Sequence, residues 1–194
     1  MKPIMKSRPQ YIIENLALKP HPEGGYFKEV YRAEKILTVD GKQRNAVTQI
    51  YFLLLGGQVS KIHRILFDEI WHFYEGTPLL LLDINSDFSG YEEILLGRQE
   101  RGTIKYNHCI KGGRWQSAES LGEYTLVGCT VSPGFDFQDF EMPDNKLSKD
   151  ISSKQPQLIK YLVTFQLTAE NNPQAASSRG AQRRRDLYKN RITG

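Results

Sequence analysis

Between Tyr26 and Val131 the chain is cut into short segments that are too brief for buried helices and are closed by turn residues. Tyr26–Arg32, Thr48–Leu55, Val59–Ile65, Glu69–Tyr74, Leu79–Ile84, Tyr91–Leu96, Thr103–Ile110, Trp115–Ala118 and Tyr124–Val131 are rich in aromatic, β-branched or alternating apolar residues. Gly56-Gly57, Gly76-Thr77-Pro78, Asn85–Gly90, Gly112-Gly113 and Gly122 separate them, and Val39-Asp40-Gly41-Lys42 carries a hairpin-turn signal. Side chains on a strand alternate faces, so many short strands at this spacing specify an antiparallel sandwich or barrel.

Helical periodicity is confined to the two ends. Ser7 followed by Arg8-Pro9 reads as a cap and first turn, Ile12, Ile13 and Leu16 form one apolar face, and Pro20–Gly25 stops the helix. After Pro143, helices are expected over Lys146–Ser153 and Gln157–Phe165. A chain of 194 residues supports one well-buried core, here placed over residues 7–167. The longest clean apolar run, Ile50–Leu55, is far short of the roughly 18 residues a membrane helix needs. Met1–Lys6 lacks the apolar stretch of a signal peptide, which implies a cytoplasmic protein with no membrane partner.

Charge is distributed unevenly. Residues 168–194 hold six basic and two acidic groups, which accounts for the whole formal charge of +4. That tail, poor in apolar residues, is expected to be disordered. Its Arg183-Arg184-Arg185 run is either a solvated extension or a contact for RNA, anionic lipid or a receptor. The barrel itself shows no basic face, so nucleic acid is not expected there. Cys109 and Cys129 lack metal or redox spacing and read as free, buried thiols.

One constellation carries chemistry: Gly57, five residues, His63, one residue, Ile65, three residues, Glu69, six residues, Gly76. His63 and Ile65 share a strand face, as do Glu69, Trp71 and Phe73. A tight turn at Phe67-Asp68 is expected to pair the two strands and bring His63 beside Glu69, where a carboxylate orients an imidazole and raises its basicity. A satisfied buried hydrogen bond is the alternative reading of the same pair.

This spacing resembles the first signature of the cupin superfamily, in which two histidines and a glutamate ligate a metal. His21-Pro22-Glu23-Gly24-Gly25-Tyr26-Phe27, Asp68-Glu69-Ile70-Trp71-His72-Phe73 and Leu126–Phe137 further resemble one small branch of that superfamily, the RmlC-like cupins related in fold to rhamnose-pathway epimerases. The resemblance spans about residues 10–142 and implies a double-stranded β-helix, or jelly-roll barrel, that pairs as a homodimer through sheet faces or an exchanged Tyr26–Arg32 strand.

Two departures bear on the metal. Ile65 stands where a metallocupin places its second histidine, and Gln116 stands where the second signature ends in a histidine. His63, Glu69 and Gln116 then form at most a weak metal site, and no cofactor is expected. The epimerase likeness implies acid–base chemistry on a sugar, sugar nucleotide or small organic acid, with His63 as base, Glu69 as its partner and a tyrosine as proton donor. Tyr26, Tyr51 and Tyr74 are the candidates; Tyr51 is carried as catalytic and Tyr26 as a ligand contact. Trp71, Phe73 and Phe135 would stack on a ring, and Lys28, Arg32 or Arg64 would hold a phosphate or carboxylate. Glu23, on its glycine-bounded loop, either reaches the pocket or caps a turn. Phe137 and Phe140 read as core, and His72 and His108 as structural. A non-catalytic sensor using the same pocket is the alternative function.

Overall fold

The computed structural model describes residues 6–98 and 103–162. The basic segment 168–194 lies outside them. Helix α1 (Arg8–Asn15) starts where its cap requires: Ser7 is extended and its N–H donates to Gln10 Oε1 at 3.2 Å. The chain then runs through β1 (Lys19–Pro20), β2 (Tyr26–Arg32), β3 (Ile36–Val39), β4 (Lys42–Asn45), β5 (Thr48–Leu55), β6 (Val59–Ile65) and β7 (Asp68–Gly76). It continues through β8 (Leu79–Ile84), β9 (Tyr91–Leu96), β10 (Asn107–Ile110), β11 (Trp115–Ser120), β12 (Tyr124–Ser132), β13 (Phe140–Glu141) and α2 (Asn145–Lys154).

Two antiparallel sheets result. One has the order β1-β2-β5-β12-β7-β10 and the other β13-β6-β11-β8-β9, with β3 and β4 as a separate hairpin. This is the mainly β, jelly-roll architecture that the alternating segments and the cupin spacing imply. In the β3–β4 turn Asp40 and Gly41 both have positive φ, of 51° and 75°, the conformation whose twist suits a two-residue hairpin.

Three apolar clusters hold the layers. Phe52, Leu54, Trp71, Phe73, Leu79 and Leu81 fill the space between the sheets. Leu80, Leu82, Ile84 and Trp115, on the outer face of the second sheet, are covered by Ile151 of α2 and by Leu158 and Tyr161. Leu79–Leu82 is therefore a continuous apolar run rather than an alternating one, because both of its faces are buried. Ile12 of α1 packs with Leu18, Leu53 and Leu126 on the outer face of the first sheet. Among the described residues no helix is long and apolar enough to cross a membrane.

Four expectations need correction. The expected β6–β7 hairpin does not form: Leu66 and Phe67 carry the chain from one sheet to the other, and each strand pairs elsewhere. The expected strand over Thr103–Ile110 is confined to Asn107–Ile110, with a single bridge from Lys105 to Leu96. The expected helix at Gln157–Phe165 is a 3-10 segment over Pro156–Tyr161, where Pro156 denies the backbone an N–H at its start. Its expected end falls outside the described residues. Finally, β11 runs on to Ser120 rather than stopping at Ala118, because Glu119 and Ser120 continue the ladder with Leu80 and Leu79.

The loop that joins β1 to β2 docks against β6. Lys61 N–H donates to the Glu23 carbonyl at 2.8 Å. Gly24, at φ +113°, lies so close to β6 that an added Cβ would stand 2.4 Å from the Val59 carbonyl oxygen. No L side chain meets both conditions. Gly41 has φ +75° but open space around it. Gly24→Ala should therefore lower unfolding free energy by about 2–4 kcal/mol, against about 1 kcal/mol for Gly41→Ala. Urea denaturation of the two variants checks this, and equal losses would refute the docking account.

Candidate functional site

A cavity of about 320 Å³ opens between the sheets. Strand parity decides what faces it. On β6 it receives His63 and Ile65, and on β7 Glu69 and Trp71. On β5 and β12 it receives Thr48, Ile50 and Phe52, and Cys129 and Val131. On β2 the parity changes midway. Phe27 pairs with Phe52 and Glu29 with Ile50, but a bulge at Val30 then sets Arg32, not Tyr31, opposite Thr48. The extra residue thereby places Glu29 and Arg32 on the same wall.

His63 is buried and both ring nitrogens are engaged. Nδ1 lies 2.8 Å from the Lys61 carbonyl, which can only accept, so Nδ1 carries the proton. Nε2 faces Glu23 Oε2 at 3.1 Å. An unprotonated Nε2 and a carboxylate oxygen at that distance need a proton between them, so His63 and Glu23 share one. Ser60 Oγ donates to the other Glu23 oxygen at 2.7 Å. His21 Nδ1 accepts the Glu23 N–H at 3.4 Å and stands 3.6 Å from the same carboxylate.

Across the cavity, Glu69 is anchored from behind. Trp71 Nε1–H donates to Gln116 Oε1 at 2.8 Å, which fixes the amide so that its Nε2 donates to Glu69 Oε2. The Cys129 thiol is a further hydrogen-bond partner of this carboxyl group. Burial pushes Glu69 up to about 7, against the pull of His63. Burial likewise pushes Glu23 up to about 7, against His21 and Ser60. It lowers both His63 and His21, and it raises the Cys129 thiol well above its usual range.

Aromatic rings cover the mouth. Phe140 stacks on His63 with ring centres 5.4 Å apart. Phe135, Phe137 and Phe140 meet at interplanar angles of 70–80°. The first turn of this segment is capped by Asp136, which accepts the Gln138 N–H. Asp139 fixes the same segment to the β3–β4 hairpin through Arg44 at 2.7 Å and Lys42 at 2.9 Å.

Of the residues singled out from sequence, His63, Glu69, Glu23, Trp71 and Phe135 come together at the cavity, and Gln116 lies directly behind Glu69. Phe73 is on the inner face but deeper in the core. The tyrosines do not reach the cavity. Tyr51 and Tyr74 pack against each other on the outer face, ring centres 6.0 Å apart, and Tyr26 lies with the cluster under α1. Arg64 is also outside, bonded to Glu141 and resting on the Trp115 ring, while Lys28 pairs with outward-facing Tyr51. His72 lies on the outer face beside Thr130, and His108 pairs with Asp83, consistent with structural roles.

Sequence reasoning missed His21, Glu29 and Cys129 as cavity residues. It also misassigned Phe137 and Phe140 to the core, although Phe137 is 57% exposed. His21 was legible as part of the His-Pro-Glu-Gly-Gly string, whose two glycines announce a forced bend.

The donor set does not fit the metal centre that the cupin signature implies. Ile65 offers only carbon, both ends of the Gln116 amide are committed, and Glu23 faces the one His63 nitrogen that lacks a proton. Among the described residues no group of three or more His, Cys, Asp or Glu is arranged to hold a metal ion.

The family model described as Cupin superfamily (DUF985) matches residues 10–143. Among solved structures, a hypothetical protein from Leishmania major is 33% identical at a TM-score of 0.73, over 80% of this chain and 98% of that one. A protein from Shewanella oneidensis is 30% identical at a TM-score of 0.70, over 81% of this chain and 98% of that one. No curated protein matches. The fold, the parity of the cavity walls and these likenesses agree, and the chain belongs to the cupin superfamily, in the family that this model describes.

Proposed function

We propose that this cupin is an acid–base enzyme of the epimerase or isomerase type. It acts on a small molecule with an acidic C–H next to a carbonyl, such as a sugar or small organic acid. A sugar nucleotide would have to leave its base outside a cavity of about 320 Å³. The observation that carries the reading is the pair of proton-transfer groups on opposite walls: His63 sharing a proton with Glu23, and Glu69 held near neutrality.

In this reading the base is Glu23 rather than His63, both of whose nitrogens are occupied. With the shared proton resting on His63 Nε2, the Glu23 carboxylate removes the proton from carbon, and His63, oriented by the Lys61 carbonyl, carries the compensating charge. Glu69 replaces tyrosine as the proton donor, because Tyr26, Tyr51 and Tyr74 all lie outside the cavity. A carboxyl group titrating at about 7 is present in both forms at neutral pH, as a group that must give and take a proton requires. Trp71 and Gln116 are positioning residues for that carboxyl. A homodimer remains the expected assembly, with the exposed outer edge of β2 as its candidate contact.

Incubation in deuterated buffer with a panel of sugars and small keto and hydroxy acids tests the reading. Exchange of carbon-bound hydrogen should appear by NMR for at least one compound, and His63→Asn should slow it at least about 100-fold. A compound that raises the melting temperature but is recovered without deuterium would assign a sensor role instead.

The proton inventory gives a stability test. Glu69 has an ordinary value of 4.5 and is held at about 7, so the native state binds this proton more tightly than the unfolded chain. Stability from this group is therefore lost as pH rises through about 4.5 to 7. The buried His63, shifted downward, works in the opposite sense, but it is present in both proteins and largely cancels in a comparison. The stability of Glu69→Gln relative to wild type should be higher at about pH 8 than at about pH 5, by on the order of 2–3 kcal/mol at most. Denaturant melts at the two pH values measure it, and a difference independent of pH would contradict the assignment.

A further inference from the structure

A ligand entering the cavity passes three phenylalanine rings before it reaches His63. Phe135 and Phe137 have centres 5.0 Å apart at 80°, Phe135 and Phe140 6.3 Å at 71°, and Phe137 and Phe140 6.2 Å at 70°. Three nearly perpendicular rings make a corner, and all three line the cavity. The negative faces of aromatic rings attract cations.

Charge at the same mouth points the same way. Arg32 is the one lysine or arginine among the described residues lining the cavity. It is not available as an anion receptor, because its Nε and Nη2 bind the two Glu29 oxygens at 2.9 and 2.7 Å. Its Nη1 donates to Asn45 Oδ1 at 2.8 Å, and both Nη atoms lie 3.3 Å from the Phe135 carbonyl. Asp136 adds a second carboxylate to the lining. His63 and Glu23 share one proton and are together neutral in charge. Counted as a whole, the lining carries more negative than positive charge.

We propose that the ligand of this cavity carries an alkylammonium group, seated in the corner of Phe135, Phe137 and Phe140 with Asp136 as its counter-charge, Glu29 serving to neutralise Arg32. The proposal rests on the cavity being the ligand site but on no chemistry taking place there. It narrows the substrate class to amino-substituted sugars or acids and excludes simple phosphates and carboxylates. The bulge at Val30 is what makes this selection, since it turns Arg32 onto Glu29 and cancels the one fixed cation among the described residues of the wall.

Calorimetric titration with choline, with dimethylbutanol as its uncharged tert-butyl isostere, and with acetate and phosphate tests the proposal on the full-length protein. Choline should bind at least about fivefold tighter than the isostere, the ratio expected of a cation over aromatic faces. Phe137→Leu, at an exposed position where folding is not at risk, should reduce that ratio toward one. Glu29→Gln should weaken choline and introduce phosphate or acetate binding by releasing Arg32. Choline binding calls for no proton transfer, so wild-type protein that binds choline but exchanges no carbon-bound hydrogen in any compound would overturn the acid–base reading and leave this proposal standing. An isostere that binds as well as choline, an anion preferred by the wild type, or no saturable choline binding up to about 20 mM would each overturn the proposal.

Discussion

The docking of the 21–25 loop on β6 is the contact on which the site depends. It joins the two sheets at one point, because the loop leads into β2 of the first sheet while the Glu23 carbonyl accepts from Lys61 in the second. Gly24 permits the approach, and the approach delivers the Glu23 side chain to His63. Without it His63 would be a buried imidazole with a single backbone partner. Backbone conformation, not side-chain affinity, therefore sets the geometry of the acid–base pair.

The second wall is built on a different principle. Glu69 is held by a chain of side chains, from the donor-only Trp71 indole through the Gln116 amide, and each link fixes the orientation of the next. Satisfied hydrogen bonds at the back of the carboxyl group let it survive burial, while the apolar surroundings raise its proton affinity. Ile65 keeps the intervening space free of further ligating atoms. The same two positions that remove a metal's ligands thus leave one basic and one acidic group facing each other.

Much of the fold was legible. The strand limits at Leu55, Ile84 and Leu96 fall where alternation or apolar runs meet Gly56, Asn85 and Gly97, since local sterics control both. Pairing was not legible, because two strands joined by two residues can form a hairpin or cross between sheets, and only the packing of distant segments decides. The tyrosines failed for a related reason. Thr48–Leu55 is apolar on both faces, with α1 covering one and the cavity core the other, so its sequence alone does not say which way Tyr51 points. His63 and Glu69 were found because glycine spacing and parity place them; Glu23 stayed ambiguous because a loop residue obeys no periodicity.

The bulge on β2 shows how little sequence change such a site needs. With regular alternation Tyr31 would face the cavity and Arg32 would face solvent, leaving Glu29 as an unpaired carboxylate at the mouth. One extra residue exchanges the two, pairs Arg32 with Glu29, and lets the Phe135 carbonyl take up the remaining donors. That last bond ties the β2 wall to the aromatic segment, so charge pairing and ring placement are fixed by the same guanidinium. The polarity of the mouth and the shape of its aromatic corner are therefore one structural decision, made by a backbone irregularity and separate from the acid–base groups beneath it.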